Sequence, residues 1–340
     1  MTDRLDDIAA AMVARGKGIL AADESSGTIK KRFDAIGVES TEDSRRDYRE
    51  LLFRTGDAMR NHISGVILYD ETIRQKAADG TPLVDIIAAS GAVPGIKVDM
   101  GAKPLAGHPG ELVTEGLDGL RERLAEYHKL GARFAKWRAV IDIAGGIPTR
   151  GCIEANAHGL ARYAGLCQEA GIVPIVEPEV LMDGGHDIDR CFEVTEAVLN
   201  AVYDQLFTQR VRLEGSVLKP NMVISGKKCA SRAGVEEVAE KTVACLKRTV
   251  PAAVAGIAFL SGGQSDEEAT AHLSAMNAIG GLPWPLTFSY GRALQAAPQK
   301  AWSGKAENTT AAQAAFAHRA RMNSLATTGE WQAALEKQAA

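Results

Sequence analysis

The 340-residue sequence has no basic run, no acidic tail and no long apolar segment. Its net charge of −4 argues against nucleic acid or an anionic membrane as the main partner. No apolar run approaches the roughly 18 residues that a membrane-spanning helix requires. Residues 1–7 lack the apolar core of a signal peptide. We therefore expect no nucleic-acid partner, no membrane association and a cytoplasmic location.

Cysteine is scarce, and its spacing does not indicate paired thiols. The number of cysteines is odd and none forms a CxxC pair; they are Cys152, Cys167, Cys191, Cys229 and Cys245. A chain of this length buries roughly 75% of its unfolded surface and needs no disulfide or metal to fold. The seven histidines also lack metal-ligand spacing. We expect reduced thiols, no metal and no cofactor.

Short apolar segments, rich in β-branched and aromatic residues, recur along the chain and predict strands. There are eight of them: Gly18–Asp23, Ile63–Tyr69, Gly95–Asp99, Arg133–Val140, Val173–Glu179, Val217–Val223, Gly256–Gly262 and Leu286–Gly291. The segments between them show helical spacing of apolar residues, and Ser265 with Glu268 forms a capping box that opens one helix.

Eight strands that alternate with helices predict an α/β fold, a single parallel (β/α)8 TIM barrel. We place the barrel at residues 1–328 and a loosely attached helix or tail at residues 329–340. A doubly wound open sheet is the alternative. That fold usually carries a GxGxxG or GxxxxGK[ST] motif after an early strand, and the sequence contains neither.

The carboxyl ends of barrel strands form the active-site face. Charged residues gather at these predicted ends: Asp23, Lys97, Asp99, Lys136, Arg138, Glu177, Glu179 and Lys219. The alternative interpretation is a purely structural ion-pair network, because charged residues in apolar strands need partners. It gives no reason for three lysines to gather at one end of the barrel.

Lysines beside carboxylates are typical of imine chemistry. A neighbouring cation favours the neutral, nucleophilic amine, and Lys136 and Arg138 are the candidates to act on Lys219. Forming and dehydrating a carbinolamine also requires a proton shuttle. Glu177 and Glu179 are the candidate carboxylates for that step.

The ends of the last two strands have the features of a phosphate site. Glycines allow an anion to approach the backbone amides, and an arginine offers a bidentate clamp. The residues are Ser261, Gly262, Gly263, Ser289, Gly291 and Arg292. Lys97, with Ser25 and Thr28, indicates a second phosphate site. Two phosphate sites around an imine-forming lysine indicate a ketose bisphosphate.

Long stretches of the sequence resemble one enzyme family. They are GKGILAADESSG (16–27), GIKVD (95–99), FAKWR (134–138), GIVPIVEPE (171–179), LKPNMV (218–223), FLSGGQS (259–265) and TFSYGRALQAA (287–297). From near its N-terminus to about Ala326 the chain is similar to class I fructose-1,6-bisphosphate aldolases. The resemblance implies a metal-independent aldehyde-lyase of glycolysis and gluconeogenesis.

The resemblance also implies residue roles. Lys219 is expected to form the Schiff base, and Glu177 to act as acid and base, assisted by Glu179 and Lys136. Asp23 is expected to take the C4 hydroxyl proton. The C1-phosphate site is expected to comprise Ser261, Gly262, Gly263, Ser289, Gly291 and Arg292. The other end of the substrate is expected to meet Ser25, Thr28, Arg32, Lys97 and Arg138.

Two properties of the family bear on expectations for this chain. Animal members end in a flexible tail with a terminal tyrosine implicated in enamine proton exchange, whereas this sequence has no tyrosine after Tyr290. We therefore expect a different or slower route for enamine protonation. Members of the family are commonly tetrameric, so the resemblance implies a homo-oligomer.

Three other functions remain open at this point. A zinc-dependent class II aldolase would need metal-ligand spacing among the histidines. Another Schiff-base barrel, such as a transaldolase or a keto-acid lyase, would share Lys219 without needing two phosphate sites. A non-catalytic scaffold would be expected to lose Lys219 or Glu177, and both are present.

Overall fold

The computed structural model describes residues 2–337, with side chains from residue 5 onward. The strands are β1 (Gly18–Ala22), β2 (Ile63–Leu68), β3 (Val93–Lys97), β4 (Ala102–Pro104), β5 (Leu112–Thr114), β6 (Phe134–Ile141), β7 (Val173–Val180), β8 (Val217–Leu218), β9 (Gly256–Phe259) and β10 (Leu286–Tyr290).

The helices alternate with the strands for most of the chain. They are α1 (Thr2–Met12), α2 (Ser26–Asp34), α3 (Glu42–Phe53), α4 (Gly56–His62), α5 (Asp70–Arg74), α6 (Leu83–Ala89), α7 (Leu120–Lys129), α8 (Arg150–Glu169), α9 (Ile188–Thr208), α10 (Val235–Thr249), α11 (Asp266–Ile279), α12 (Arg292–Trp302) and α13 (Thr309–Ala326). No helix among these residues is long and apolar enough to cross a membrane.

A closed, parallel barrel forms the centre of the molecule. Its strands follow the order β1, β10, β9, β8, β7, β6, β3, β2 and back to β1. Each of the eight predicted strands contributes one of these strands, so the predicted (β/α)8 barrel is confirmed. The short antiparallel hairpin of β4 and β5 was not predicted.

Strand β8 ends earlier than the sequence indicated. The prediction ran from Val217 to Val223, but the regular strand covers only Val217–Leu218. Pro220 has no N–H group, so the regular hydrogen-bond ladder cannot continue through it. One further ladder bond survives, in which the Lys219 amide donates to the Val176 carbonyl at 2.8 Å. Lys219 therefore lies just beyond the strand and is still fixed by β7.

Apolar side chains fill the amino-terminal half of the barrel interior. Phe134, Val173, Ile175 and Val217 form one buried cluster with Leu5, Ala9, Met12 and Val13. Helix α1 and the residue that follows it thus close the amino-terminal mouth. Because that end is blocked by apolar packing, a polar ligand enters the barrel from the carboxyl end.

The helices form the outer layer and bury a second, larger apolar cluster against the outer faces of the strands. The predicted capping box of α11 is confirmed, since the Ser265 hydroxyl accepts from the Glu268 amide at 3.1 Å and the Glu268 carboxylate accepts from the Ser265 amide at 3.3 Å. Such reciprocal caps satisfy amides that the helix leaves free.

A buried carboxylate of the segment after α13 joins that segment to the outer helices. Glu336 accepts from the Arg319 guanidinium of α13 at 2.6 Å and, within the segment itself, from the Trp331 indole at 2.9 Å. The side chains of Arg319 and Glu336 are 5% and 8% exposed. This segment is docked at these contacts, whereas residues 338–340 lie outside the described part of the chain. The division at residue 328 stays a prediction.

Candidate active site

A cavity of about 560 Å³ opens at the carboxyl end of the barrel. Every predicted site residue except Glu177 lines it: Asp23, Ser25, Thr28, Arg32, Lys97, Lys136, Arg138, Glu179, Lys219, Ser261, Gly262, Gly263, Ser289, Gly291 and Arg292. Glu177 lies directly behind two of the lining lysines. The structure thus brings residues from seven of the eight barrel strands or the loops that follow them to one mouth.

Glu177 lies between two lysines. Its Oε1 atom is 3.1 Å from Lys219 Nζ, and its Oε2 atom is 3.2 Å from Lys136 Nζ. Asp23 is on the other side of Lys136, with its Oδ2 atom 2.7 Å from Nζ. All four side chains are at most 12% exposed. They form an alternating row of charges: Lys219, Glu177, Lys136 and Asp23.

The alternation of β6 and β7 produces this row. Successive side chains point to opposite faces of a strand, so residues two apart share a face. Phe134 and Lys136 point inward on β6, as do Ile175 and Glu177 on β7. The strands pair in register, Lys136 beside Ile175 and Arg138 beside Glu177. The inward positions therefore change from apolar to charged along each strand.

Asp23 is a carboxylate at neutral pH. Burial raises the pKa of this group, but the nearby charges of Lys136, Lys219 and Lys97 and the hydrogen bond from Lys136 lower it to about 2. An ionised carboxylate is the form that accepts a proton from a hydroxyl. The environment of Asp23 therefore suits the general-base function that the family resemblance implies.

Glu177 is also ionised in the resting site. Burial raises its pKa, and the cations Lys136, Lys219 and Arg138 more than offset that effect, so the net shift is downward. Lys136 has the opposite balance: burial lowers its pKa, and Asp23, Glu177 and Asp99 raise it well above its usual range. Lys136 is thus a fixed ammonium that stabilises both neighbouring carboxylates.

A second cluster of ion pairs lies on the side of the cavity toward β3. Arg138 pairs with Glu179 through its Nε atom, and Lys97 Nζ is 3.4 Å from Asp99 Oδ1. Asp99 also accepts from the Arg138 amide at 3.3 Å. The carboxylate of Glu179 is therefore occupied by Arg138 rather than by Lys219. Its assisting role in the imine step stays a prediction.

The loop after β1 contributes two hydroxyls and an arginine. The hydroxyls of Ser25 and Thr28 lie 3.1 Å apart at the start of α2. Arg32 forms an ion pair with Glu24, and that carboxylate also accepts from Gln295 Nε2 at 2.8 Å. Glu24 is buried, and it fixes the direction in which the Arg32 guanidinium points into the cavity.

The ends of β9 and β10 hold the residues that the sequence predicts to bind an anion. Gly262 has a φ of +56°, a backbone conformation that glycine adopts readily, and Gly291 is the N-cap of α12. Arg292 donates to the Gly262 carbonyl at 2.5 Å and so joins the two loops. The hydroxyl of Ser289 is buried and lacks a hydrogen-bond partner among the described residues. An anion at this position would satisfy it.

Several cavity residues were missed by the sequence analysis. Met182, Asp183 and Lys227 lie in loops after β7 and β8, and Glu24 precedes α2. Loop residues of this kind are usually solvated, so their types alone gave no signal. The Gly263 amide lies 3.2 Å from the Met182 sulfur, which is a weak acceptor that an anion can replace.

The described residues 2–337 contain no group of three or more His, Cys, Asp and Glu side chains that could hold a metal ion. Lysines, carboxylates and the glycine-rich turns beside Arg292 line the cavity or lie directly behind its wall. Such a set supports covalent catalysis by an amine with proton transfer by carboxylates.

Comparison with known proteins agrees with this geometry. The family model described as fructose-bisphosphate aldolase class-I matches residues 4–340. A probable class 1 fructose-bisphosphate aldolase of Xanthomonas campestris is 61% identical over 330 residues, which are 97% of this chain and 98% of that protein. The cytosolic fructose-bisphosphate aldolase 4 of Arabidopsis thaliana is 57% identical over 92% of this chain and 80% of its own length.

A solved structure shows the same architecture. Fructose-bisphosphate aldolase of Plasmodium falciparum, crystallised with TRAP and a small-molecule inhibitor, superposes with a TM-score of 0.94 and is 50% identical. The match covers 97% of this chain and 95% of that one. Family model, relatives and fold agree across nearly the whole sequence. This chain belongs to the class I fructose-bisphosphate aldolase family.

Proposed function

We propose that Lys219 forms the Schiff base through which this aldolase cleaves fructose 1,6-bisphosphate reversibly to dihydroxyacetone phosphate and glyceraldehyde 3-phosphate. The observation that carries the assignment is the position of Glu177 between Lys219 and Lys136, at 3.1 Å and 3.2 Å. Of the three cavity lysines predicted to matter, Lys136 lies between two carboxylates and Lys97 lies beside Asp99. Among the described residues, the Lys219 ammonium forms an ion pair with Glu177 alone, the carboxylate that we assign as the proton shuttle.

The first step requires a neutral amine at Lys219. Glu177 is ionised and close enough to take a proton from that ammonium. Once Lys219 is neutral, one of the cations that lower the pKa of Glu177 is gone, so the new carboxylic acid is easier to retain. The amine then adds to the C2 ketone. Glu177 returns the proton to the carbinolamine hydroxyl, which leaves as water.

The iminium accepts the electron pair of the C3–C4 bond. As that bond breaks, the C4 hydroxyl loses its proton to Asp23 and becomes the aldehyde of glyceraldehyde 3-phosphate. The enamine left on Lys219 is protonated at C3, and hydrolysis releases dihydroxyacetone phosphate and the free lysine. Tyr290 takes no part, since its buried hydroxyl donates to the Ala269 carbonyl at 2.9 Å.

The two phosphates occupy opposite sides of the cavity in this proposal. Ser261, Gly262, Gly263, Ser289, Gly291 and Arg292 hold the C1 phosphate, while Ser25, Thr28, Lys97 and Arg138 meet the other end. Arg32 belongs with the residues of the other end and also approaches the first group, because a Cβ placed on Gly291 would lie 3.8 Å from its Nη2 atom. The unpartnered Ser289 hydroxyl supports an anion at the first position.

We also infer a cytoplasmic location and a homotetramer. The cytosolic name of the Arabidopsis relative and the absence of paired cysteines support the location. The tetramer rests on family resemblance alone. Light scattering of the purified protein tests it, and a monomer or dimer mass would contradict it.

The function is tested by a coupled cleavage assay in excess EDTA. We expect full activity on fructose 1,6-bisphosphate in the chelator, none for Lys219→Met, and normal activity for Lys300→Met, a lysine of α12 outside the cavity. Loss of wild-type activity in EDTA, or retention of activity in Lys219→Met, would contradict the proposal. Activity confined to a ketose without a second phosphate would instead favour a transaldolase-like lyase.

A further inference from the structure

One lysine at the cavity rim has no function in the scheme above. Lys227 lies on the loop after β8 and lines the same cavity as Ser289 and Gly291. The loop backbone is fixed against the segment after β7: the Gly226 amide donates to the His186 carbonyl at 2.9 Å, and the Lys227 amide donates to the Met182 carbonyl at 2.7 Å. The base of the side chain is therefore fixed in place.

The Lys227 side chain crosses the Ser261–Gly263 turn. A Cβ atom placed on Gly263 would overlap the Cε and Nζ atoms of Lys227, so the lysine occupies the space that a side chain would need at that position. The Gly263 amide belongs to the turn that we assign to the C1 phosphate. The Lys227 ammonium thus lies beside a phosphate-binding amide and on the side of the turn facing Asp183.

Asp183 is the present partner of that ammonium. Its Oδ1 atom is 2.6 Å from Lys227 Nζ, and the two side chains are 61% and 40% exposed. The hydrogen bond from Lys227 is the largest influence lowering the Asp183 pKa, and the charges of Arg292 and Lys228 act in the same direction. The Asp183 carboxylate is therefore close enough to Arg292, the arginine of the predicted anion site, to be affected by its charge.

An ion pair this exposed is weak, because water screens the two charges. A phosphate carries a charge of about −1.5 to −2 and three acceptor oxygens, so it competes well with one carboxylate for a mobile ammonium. Lysine suits such an exchange, since its head group is a point charge on a flexible four-carbon stem.

We propose that Lys227 is a further phosphate-binding residue, whose ammonium leaves Asp183 and binds the C1 phosphate over the Gly263 turn when substrate enters. In this arrangement Asp183 is a competing counter-ion that holds the lysine at the rim while the site is empty. The inference rests on the proposed function, because it takes the Ser261–Gly263 turn as the C1-phosphate site.

The test compares three variants of the full-length enzyme on fructose 1,6-bisphosphate. Lys227→Gln should raise KM about five- to tenfold, as expected for one partly exposed charged hydrogen bond, with the effect on KM rather than kcat. Lys227→Arg should restore most of the lost affinity. Lys228→Gln removes the same charge one residue away, outside the cavity, and should leave KM within about twofold of wild type.

The Asp183→Asn variant distinguishes a role of Lys227 in ligand binding from a purely structural role of the Lys227–Asp183 ion pair. If Asp183 competes with substrate, its loss should lower KM about two- to threefold, the opposite direction from Lys227→Gln. When Asp183→Asn is combined with Lys227→Gln, it should no longer lower KM. A pair that only fixes the two loops would shift KM the same way in both single variants, or not at all, and either result would overturn the proposal.

Inorganic phosphate keeps this inference distinct from the cleavage reaction. Calorimetric titration of phosphate should show weaker binding to Lys227→Gln than to Lys228→Gln, whether or not the enzyme turns over. A wild-type protein without cleavage activity would refute the proposed function. If the wild-type enzyme is active but these two variants have equal phosphate affinity and equal KM, only the role of Lys227 would be refuted.

Discussion

Glu177 Oε1 lies 3.1 Å from Lys219 Nζ in a position where both side chains are at most 5% exposed. The opposite oxygen of the same carboxylate lies 3.2 Å from Lys136. One buried carboxylate thus serves two ammonium groups, and any change of charge on Lys219 alters the proton affinity of Glu177 directly. This coupling is the physical basis of the proton shuttle proposed above.

Replacement of Glu177 by Gln should remove that shuttle. We expect kcat to fall about 10²- to 10⁴-fold, the usual contribution of a positioned acid or base. The control Glu169→Gln changes an exposed carboxylate that pairs with Arg121 on the surface at 2.6 Å, and its kcat should match wild type. Steady-state kinetics on folded protein, verified by circular dichroism, measures both. A Glu177→Gln enzyme within tenfold of wild type would exclude the shuttle.

Asp23 should contribute to stability in a pH-dependent way. Its folded-state pKa of about 2 lies below its ordinary value of 3.8, so the contribution is complete above the ordinary value and is lost as pH falls toward the folded value. A shift from 3.8 to about 2 corresponds to roughly 2 kcal/mol.

Urea unfolding at pH values from 6 to about 2.5 measures this contribution. Asp23→Asn should be less stable at pH 6, because it leaves Lys136 with one carboxylate fewer. Its loss of stability on acidification should be smaller than that of wild type by roughly 2 kcal/mol. If the free energy of unfolding fell equally with pH in the two proteins, Asp23 would not be held ionised by its lysine neighbours.

The two phosphate positions predict different substrate dependence. Arg292→Gln should raise KM for both fructose 1,6-bisphosphate and fructose 1-phosphate, because both carry the C1 phosphate. Lys97→Gln should raise KM about tenfold or more for the bisphosphate only, since a charged hydrogen bond to the second phosphate is lost. Measuring both substrates on both variants tests the assignment. If Lys97→Gln raised KM equally for the two substrates, Lys97 would not be specific to the second phosphate, and the assignment of the two sites would be wrong.

The segment after α13 should contribute measurably to stability. Glu336→Gln would leave the buried guanidinium of Arg319 without its anionic partner, at a cost of about 3 kcal/mol in the free energy of unfolding. The exposed neighbour Glu330 provides the control, and Glu330→Gln should change stability by less than about 0.5 kcal/mol. Equal denaturation midpoints for the two variants would mean that residues beyond 328 are a loose tail.

The sequence was informative where a strand determines the position of a side chain. Lys136 and Glu177 face the barrel interior because alternation leaves no other choice once Phe134 and Ile175 pack inward. Closure of the barrel then brings distant strand ends together. For that reason the gathering of these charges at one end of the barrel could be anticipated from spacing, and the family resemblance added the role of Asp23.

The sequence was uninformative where a loop determines the position. Met182, Asp183 and Lys227 line the cavity through loop contacts between main-chain groups, and such contacts leave no periodic pattern. The early end of β8 depends on one missing N–H at Pro220, in a segment whose apolar residues continued the strand pattern. The partner of Glu179 likewise depends on which charge is nearest after closure, and that charge is Arg138.

Borohydride trapping tests the central claim most directly. The protein is incubated with dihydroxyacetone phosphate in excess EDTA, reduced, digested and mapped by mass spectrometry. We predict one stable adduct, on Lys219, formed without metal and formed more slowly in Glu177→Gln. An adduct on Lys136 or Lys97 would contradict the assignment of Lys219, and the absence of any adduct from an enzyme that cleaves fructose 1,6-bisphosphate would contradict the Schiff-base mechanism itself.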